Sequence, residues 1–271
     1  MRALALVALV ALAFPAEAQF RNRRPMYSGD PNEFYTPPDF KGNVPYDGRF
    51  TFARIKYRGF EHFQQEGPGW SHDYPRAEEH LMRIVREIST MRPFIERDDK
   101  IGGVIVALDD KELLKYPVAY LSEPGGWHPN DAEMAGMRNY LLKGGFVIFD
   151  DFGVDGGPFG GRGGSYVWDE FVATMQRIMP KSRLIQIPPD HAVFDSFYKI
   201  DLTLLERSGY GVMSYWGIFQ DNDPRKRLMA VVNRNGDIGE FWQWSDRGFN
   251  IAPTNEAYKL GVNYIMYALT H

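Results

Sequence analysis

The chain of 271 residues carries a formal net charge of −4 at pH 7, 15% aromatic residues and no cysteine. A mildly acidic chain without a long basic run lacks the positive surface that nucleic acid or an anionic membrane attracts, so neither is expected as a partner. Without cysteine, a disulfide, a thiol nucleophile and a thiolate metal site are all excluded.

The N-terminus is typical of a secretory signal. Arg2 precedes an apolar run from residue 3 to residue 14, and Ala16-Glu17-Ala18 provides an Ala-x-Ala cleavage site. About a dozen apolar residues are too few to span a bilayer, and no membrane span is predicted further along the chain. We therefore expect residues 1–18 to be removed and the product to be periplasmic or secreted.

Residues 19–49 are predicted to form an extended arm or linker. Prolines at 25, 31, 37, 38 and 45 alternate with aromatic residues in this stretch. Proline at such density prevents a regular helix or a central strand. The aromatic residues favour an arm that lies on the domain, and a disordered arm is the alternative.

From residue 50 to residue 271 the pattern alternates between strands and helices, as in a single domain with a parallel sheet. Strands are predicted at 51–57, 104–108, 118–121, 146–149, 184–187 and 228–232. Helices are predicted after caps at Asp73, at Asn130 or Asp131, and at Thr254, and also at 168–179. This order predicts a three-layer α/β sandwich with a mainly parallel central sheet.

Polar residues follow two of the predicted strands. Asp150 and Asp151 end the strand at 146–149, and Glu123 and His128 follow the strand at 118–121. Ligands of open parallel sheets bind beyond the carboxyl ends of the strands. If these two strands are neighbours, the four side chains face one cleft. Aspartate at a strand end also commonly caps the following turn, which is the structural alternative for Asp150 and Asp151.

Several motifs carry a resemblance to known families. Residues 119–126, a helix, and then residues 144–151 resemble the core of class I glutamine amidotransferase-like domains, in particular the ThuA-like branch. A narrower resemblance is to the bacterial family called domain of unknown function 4159, over roughly residues 50–271. It is carried by Arg54-Ile55-Lys56-Tyr57, Tyr74-Pro75, Gly144-Gly145, Asp150-Asp151 and His191-Ala192-Val193-Phe194.

The wider resemblance implies a flavodoxin-like fold with a nucleophile on the turn after the strand at 146–149. Amidotransferases hold a cysteine there, whereas this chain has Asp150 and Asp151. Glutamine hydrolysis through a thioester is therefore excluded. The turn containing Gly125 and Gly126 resembles the oxyanion turn of those relatives, but His128 follows it where they have no catalytic group.

Two further candidates lie downstream. Residues 153–164 are rich in glycine and match neither the phosphate-loop nor the dinucleotide-binding pattern. This segment is either a lid, with Arg162 closing over an anionic or polar ligand, or a surface excursion. His191 is a candidate base or metal ligand, or else the cap of its own helical segment. In contrast, His62, His72 and His80 lie in a polar, exposed-looking region and are assigned no role.

The tryptophans and serines give weaker signals. Trp127, Trp242 and Trp244 are either stacking surfaces for sugar rings or core residues. None of Ser122, Ser165 and Ser214 lies in a Gly-x-Ser-x-Gly elbow, so a serine hydrolase is unsupported.

Two hypotheses follow from the sequence. In the first, the chain binds a polar small molecule or an envelope protein, without catalysis, in a cleft lined by Glu123, His128, Asp150, Asp151 and His191. Gly125, Gly126 and Arg162 are further ligand-binding candidates in this hypothesis. In the second, it is a metal-assisted or acid–base hydrolase acting on a glycan-like substrate, with Asp150, Asp151 and His191 as the catalytic candidates. The sequence names neither a metal nor another cofactor.

Overall fold

The computed structural model describes residues 40, 42–43, 45–58, 69–94, 103–152, 164–206 and 212–271. The predicted signal at 1–18, most of the arm, His62, Arg162 and the side chain of Ser165 lie outside the described residues.

Seven strands form one sheet in the order β2-β1-β3-β4-β7-β6-β5. Strands β1, β2, β3, β4 and β7 are parallel, and β6 runs antiparallel to both of its neighbours. The predicted mainly parallel sheet is thereby confirmed, although β6 was not predicted. The strands are β1 (Phe52–Lys56), β2 (Gly103–Ala107), β3 (Val118–Ser122), β4 (Phe146–Asp150), β5 (Leu184–Gln186), β6 (Ser214–Phe219) and β7 (Leu228–Arg234).

Six α-helices connect and follow these strands in the described part of the chain. They are α1 (Arg76–Ile88), α2 (Asp131–Leu142), α3 (Gly164–Ile178), α4 (Leu202–Glu206), α5 (Ile238–Gln243) and α6 (Ile251–Thr270). Within the described ranges, none of them combines the length and the apolar character that crossing a bilayer demands.

The three helix caps predicted from the sequence can each be compared with the structure. Asn130 caps α2 and forms a capping box with Glu133. Of the two predicted caps, Asn130 and Asp131, the first is therefore confirmed. The cap predicted at Thr254 is wrong, because α6 begins earlier and the Asn250 side chain accepts from the N–H of Ala252. The cap predicted at Asp73 is also wrong, since Pro75 precedes α1 and no side chain caps this helix. The carboxylate of Asp73 is therefore available for another role.

Helices cover both faces of the sheet. Along β4, Phe146 and Ile148 pack on the side of α1, α5 and α6, whereas Val147 and Phe149 pack on the side of α2 and α3. A strand that is buried on both faces has no position for a polar residue until it ends. This explains why an uninterrupted apolar run leads directly into two carboxylates.

The described end of the predicted arm lies against the edge strand β2. Asn43 donates from Nδ2 to the carbonyl of Ile105 over 2.7 Å, and the N–H of Ile105 donates back to Asn43 Oδ1 over 2.9 Å. The Tyr46 ring packs edge-on against Tyr116 at 5.4 Å between centroids. The arm thus satisfies backbone groups that an edge strand otherwise leaves open to pairing with other chains.

Candidate functional site

Four neighbouring parallel strands, β1, β3, β4 and β7, end at the same edge of the sheet. The pairing of Ser122 with Asp150 confirms the prediction that the strands bearing Glu123 and Asp151 are adjacent. Each of the four loops that follow carries charged or ionisable side chains. These loops supply His72 and Asp73 after β1, Glu123 after β3, Asp151 after β4 and Asp237 after β7.

His72 is at the centre of the cluster these loops form. Its Nδ1 lies 2.8 Å from Asp151 Oδ2, 3.6 Å from Asp73 Oδ2 and 4.0 Å from Glu123 Oε1. Only 22% of its side chain is exposed, so the expectation that His72 lies in an exposed region is wrong. Asp73, which the sequence predicted only as a helix cap, and Asp237 complete the arrangement.

Four residues bring one donor atom each into a very small volume. The atoms of His72, Asp73, Asp151 and Asp237 all lie within 4.8 Å of one another. Zinc ligands stand about 2.0–2.2 Å from the ion in a tetrahedral arrangement, so their donor atoms are about 3.3–3.6 Å apart. The cluster therefore has nearly the dimensions of a coordination shell.

The backbone around the cluster is in an unusual conformation. Asp73, Glu123 and Asp151 have positive φ angles of 63°, 47° and 61°. Residues other than glycine adopt this left-handed conformation at a cost of the order of 1 kcal/mol or more, and such residues concentrate at binding and catalytic sites. Three of them converge on one edge, which singles this edge out from the rest of the described chain.

A buried arginine holds the turn that carries His72 and Asp73. Arg54, on β1, forms an ion pair with Glu78 of α1, and both side chains are buried. Its Nη1 also donates to the carbonyls of Trp70 and His72, over 3.0 and 2.8 Å. The backbone at His72 is thus fixed from inside the core, and its ring is left to face the cluster.

Glu123 is fixed from two directions. The hydroxyl of Tyr57 donates to the carbonyls of Ser122 and Glu123, over 2.9 and 2.7 Å. Gly69 passes so close that a Cβ atom there would lie 2.8 Å from Cβ of Glu123 and would collide with its carboxylate. Glycine at position 69 therefore leaves the space that this carboxylate occupies.

Asp150 has a different role from Asp151. It is fully buried and accepts four hydrogen bonds, from the Tyr120 hydroxyl, the Asn233 amide and the N–H groups of Ile238 and Gly239. Asp150 is thus held by structural contacts, although it does not cap the turn that follows β4, as the structural alternative required. Its carboxylate caps the first turn of α5 and places Asp237 at the cluster. Burial raises the pKa of Asp150 to about 6.

Two of the clustered carboxylates are strongly desolvated. Burial raises the pKa of Asp73 and of Asp237 well above the ordinary value, and Asp151 raises both further. Asp237 Oδ1 accepts from the N–H of Glu240 at the start of α5. Neither oxygen of Asp73 has a hydrogen-bond partner among the described residues. An ionised carboxylate in this position costs several kcal/mol unless something compensates its charge.

Other predicted site residues do not join the cluster. His128 points towards α3, with Nδ1 4.0 Å from Glu170 Oε2. Gly125 packs against the same helix, since a Cβ atom there would lie 2.6 Å from Val167 Cγ1. Gly126 is buried in the same turn, which spans Pro124–Gly126.

His191 lies at the opposite edge of the sheet. Its ring packs against Phe219 and Tyr267, and the Tyr267 hydroxyl accepts from the N–H of Leu228, the first residue of β7. Its Nδ1 accepts from the N–H of Val193, so His191 caps its own turn, and burial lowers its pKa. The expectation that His191 faces the same cleft as Asp151 is wrong, because the chain turns back after β5.

The tryptophans do not form a stacking surface at this edge. Trp127 packs against Phe149 in the core, and the buried Trp242 donates from Nε1 to the carbonyl of Ala257. Trp244 is half-buried, with Arg76 and Arg247 on its ring. The core alternative therefore holds for Trp127 and Trp242.

Fold and site together define an α/β protein that gathers a histidine and several carboxylates beyond the ends of its parallel strands. Residues 51–269 match the family described as Domain of unknown function (DUF4159). The chain belongs to that family, which confirms the narrower of the two resemblances. A comparison with curated proteins finds no match.

Proposed function

We propose that this protein is an exported hydrolase that activates a water molecule at the carboxyl edge of its sheet. The observation that carries the proposal is the convergence of His72, Asp73, Asp151 and Asp237 within 4.8 Å. Solvent reaches His72, Glu123 and Asp151, whose side chains are 22%, 12% and 14% exposed. These three supply the proton acceptor for the attacking water.

The hydrolytic step needs only water as co-reactant. A proton passes from water to one of the three exposed groups, and the resulting hydroxide bonds to the electrophilic atom of the substrate. The bond to the leaving group then breaks, and the proton moves to that group. The chain has no cysteine, so no thioester forms.

The charge of the site determines the class of substrate. Four carboxylates around one imidazole repel anions, so the substrate is polar and either uncharged or cationic. A glycan-like ester or glycoside fits this description. The burial of Trp127 and Trp242 removes the aromatic platform that first suggested a sugar.

Export and the wider fold relationship belong to the same proposal. The apolar run ending in Ala16-Glu17-Ala18 supports export to the periplasm or the medium. The turn at Pro124–Gly126 after β3 and the left-handed Asp151 after β4 support an amidotransferase-like, ThuA-like arrangement in which a carboxylate replaces the thiol.

A non-catalytic binding site is the second candidate. It is favoured by the low exposure of His72, Glu123 and Asp151, which suits a small enclosed ligand better than a large substrate. In this case the cleft holds a polar small molecule or a side chain of an envelope protein.

A hydrolysis assay distinguishes the hydrolase from the non-catalytic binding site. We expect the purified chain to hydrolyse at least one probe in a panel of uncharged p-nitrophenyl esters, anilides and glycosides. His72→Gln, Glu123→Gln and Asp151→Asn are each assayed, and removal of the true proton acceptor lowers kcat by about 10²–10⁴-fold. Asp190→Asn, at an exposed position, serves as the control with unchanged turnover.

Two results would contradict the hydrolase. One is wild-type protein that turns over no probe but shows a saturable thermal shift with a polar ligand, which supports the binding site instead. The other is turnover that is unchanged in all three variants, because the chemistry then lies elsewhere.

A further inference from the structure

The buried half of the cluster gathers more negative charge than the basic side chains beside it, His72 and Arg54, can offset. Asp73 is 2% exposed and Asp237 is 7% exposed, and the two are neighbours of Asp151 and His72. Arg54 is the basic side chain that approaches Asp73 from the core, but it is already ion-paired with Glu78. Arg54 and the His72 ring therefore offset the charge on Asp73 only in part, and the pKa of Asp73 stays raised.

A proton could neutralise the Asp73 carboxylate in place of a bound cation. The surroundings of Asp73, however, do not suit a protonated carboxyl group. A protonated carboxyl group donates one hydrogen bond and requires an acceptor. Neither oxygen of Asp73 makes a hydrogen bond to any described residue, although both are buried and Oδ2 points towards Nδ1 of His72 at 3.6 Å. A cation coordinated by this oxygen needs no such partner.

We propose that His72, Asp73, Asp151 and Asp237 bind one divalent transition-metal ion of the Zn²⁺ or Mn²⁺ class. The mixture of one imidazole nitrogen and three carboxylate oxygens selects this class. Imidazole is a ligand for Zn²⁺ and its neighbours, whereas Ca²⁺ and Mg²⁺ prefer oxygen ligands throughout.

The surroundings hold the ligands as supporting groups do in metal sites. The carbonyl of His72 accepts from Arg54, and Asp237 Oδ1 accepts from the N–H of Glu240. Asp151 follows β4 directly, at a backbone angle that points its carboxylate back towards His72. Such outer contacts fix ligand orientation and raise affinity.

This inference rests on the proposed function only in that it shares the same edge of the sheet. With the ion bound, His72 and Asp151 act as ligands, and the ion lowers the pKa of a bound water. Glu123, whose carboxylate stands 4.0 Å from His72 Nδ1 and is not one of the four ligands, is then the proton acceptor.

The test is direct metal binding to the purified chain after treatment with EDTA. Calorimetric titrations with Zn²⁺, Mn²⁺, Mg²⁺ and Ca²⁺ should show one ion per chain, with Zn²⁺ or Mn²⁺ bound more tightly than the other two. The bound ion should also raise the melting temperature by mass action.

Two isosteric variants make the test specific. Asp73→Asn and Asp237→Asn should each weaken binding by more than about 100-fold, since loss of a supporting group alone costs roughly 10–100-fold. Asparagine caps a helix as well as aspartate does, so Asp237→Asn retains the cap of α5. Without metal, both variants should melt at or above the wild-type temperature, since each removes a buried charge. Asp190→Asn is the control and should bind as the wild type does.

Three other outcomes would overturn the inference, and a fourth would overturn only the proposed hydrolase. Absence of saturable binding by any of the four ions would leave the proton as the compensating charge. Binding that is equal in wild type and in both variants would indicate adventitious surface sites only. Hydrolysis that persists in EDTA without ion binding would refute the metal and leave the hydrolase standing. Ion binding without any hydrolysis would refute the hydrolase and leave the metal site.

Discussion

Asp150 and Asp151 are consecutive residues with opposite surroundings. Successive side chains of a strand point to opposite sides, and the chain bends into the left-handed region at Asp151. Asp150 therefore turns inward to four hydrogen-bond donors, while Asp151 faces His72. Asp150 therefore holds the backbone around the site in place, whereas Asp151 is one of the site residues.

Asp150→Asn should lower the free energy of unfolding by about 1–3 kcal/mol, because the new amide cannot accept from all four donors and leaves a buried one unpaired. Asp151→Asn, at a 14% exposed position, should change stability little. Urea unfolding of both variants measures the difference. Equal stability of the two variants would show that Asp150 does not anchor α5.

At the scale of elements, two of the four strand ends that form the site could be predicted. The runs at 118–121 and 146–149 are apolar, end in acidic residues and follow each other along the chain. The loops after β1 and β7 were not selected, because placing them beside β3 and β4 requires a strand order set by long-range packing. The rule that loops after parallel strands share one edge would have drawn attention to His72 and Asp73.

Strand β6 shows a second limit of prediction from the sequence. Its sequence, Ser214 to Phe219, combines three aromatic residues with a central glycine and has Ile218 as its only aliphatic residue. Gly217 is needed because a Cβ atom there would collide with the Leu228 side chain on β7. Such a requirement depends on a partner strand and is not visible in the local pattern.

At the scale of elements, we also predict the effect of a substitution in helix α5, at Gly239. A glycine within a helix normally costs about 0.5–1 kcal/mol relative to alanine. At Gly239, however, a Cβ atom would lie 2.5 Å from Asp73 Oδ2 and 2.6 Å from the Tyr120 hydroxyl. Gly239→Ala should therefore lower the melting temperature and weaken metal binding. Adding Asp73→Ala should recover part of the stability but none of the binding. A stabilised Gly239→Ala protein would contradict the close packing of α5 on Asp73.

At the scale of the whole molecule, the ion pair between Arg54 and Glu78 links three parts of the structure. Arg54 lies on β1, Glu78 lies on α1, and the carbonyls that Arg54 holds belong to the turn between them. The packing of the helical layer on the sheet and the position of His72 therefore depend on the same side chain.

Removing one partner of this pair should be severe. Arg54→Met leaves the Glu78 carboxylate buried and unpaired, at a cost of about 3–5 kcal/mol of unfolding free energy. Adding Glu78→Leu replaces the pair by apolar groups and should restore most of that stability, as is common for buried ion pairs. The double variant still lacks the donors to the carbonyls of Trp70 and His72. We therefore expect a chain that unfolds in urea nearly as the wild type does but binds Zn²⁺ more weakly. Wild-type Zn²⁺ affinity in the double variant would show that the cluster is positioned without Arg54. Full stability of Arg54→Met alone would show that the ion pair is not needed to join α1 to the sheet.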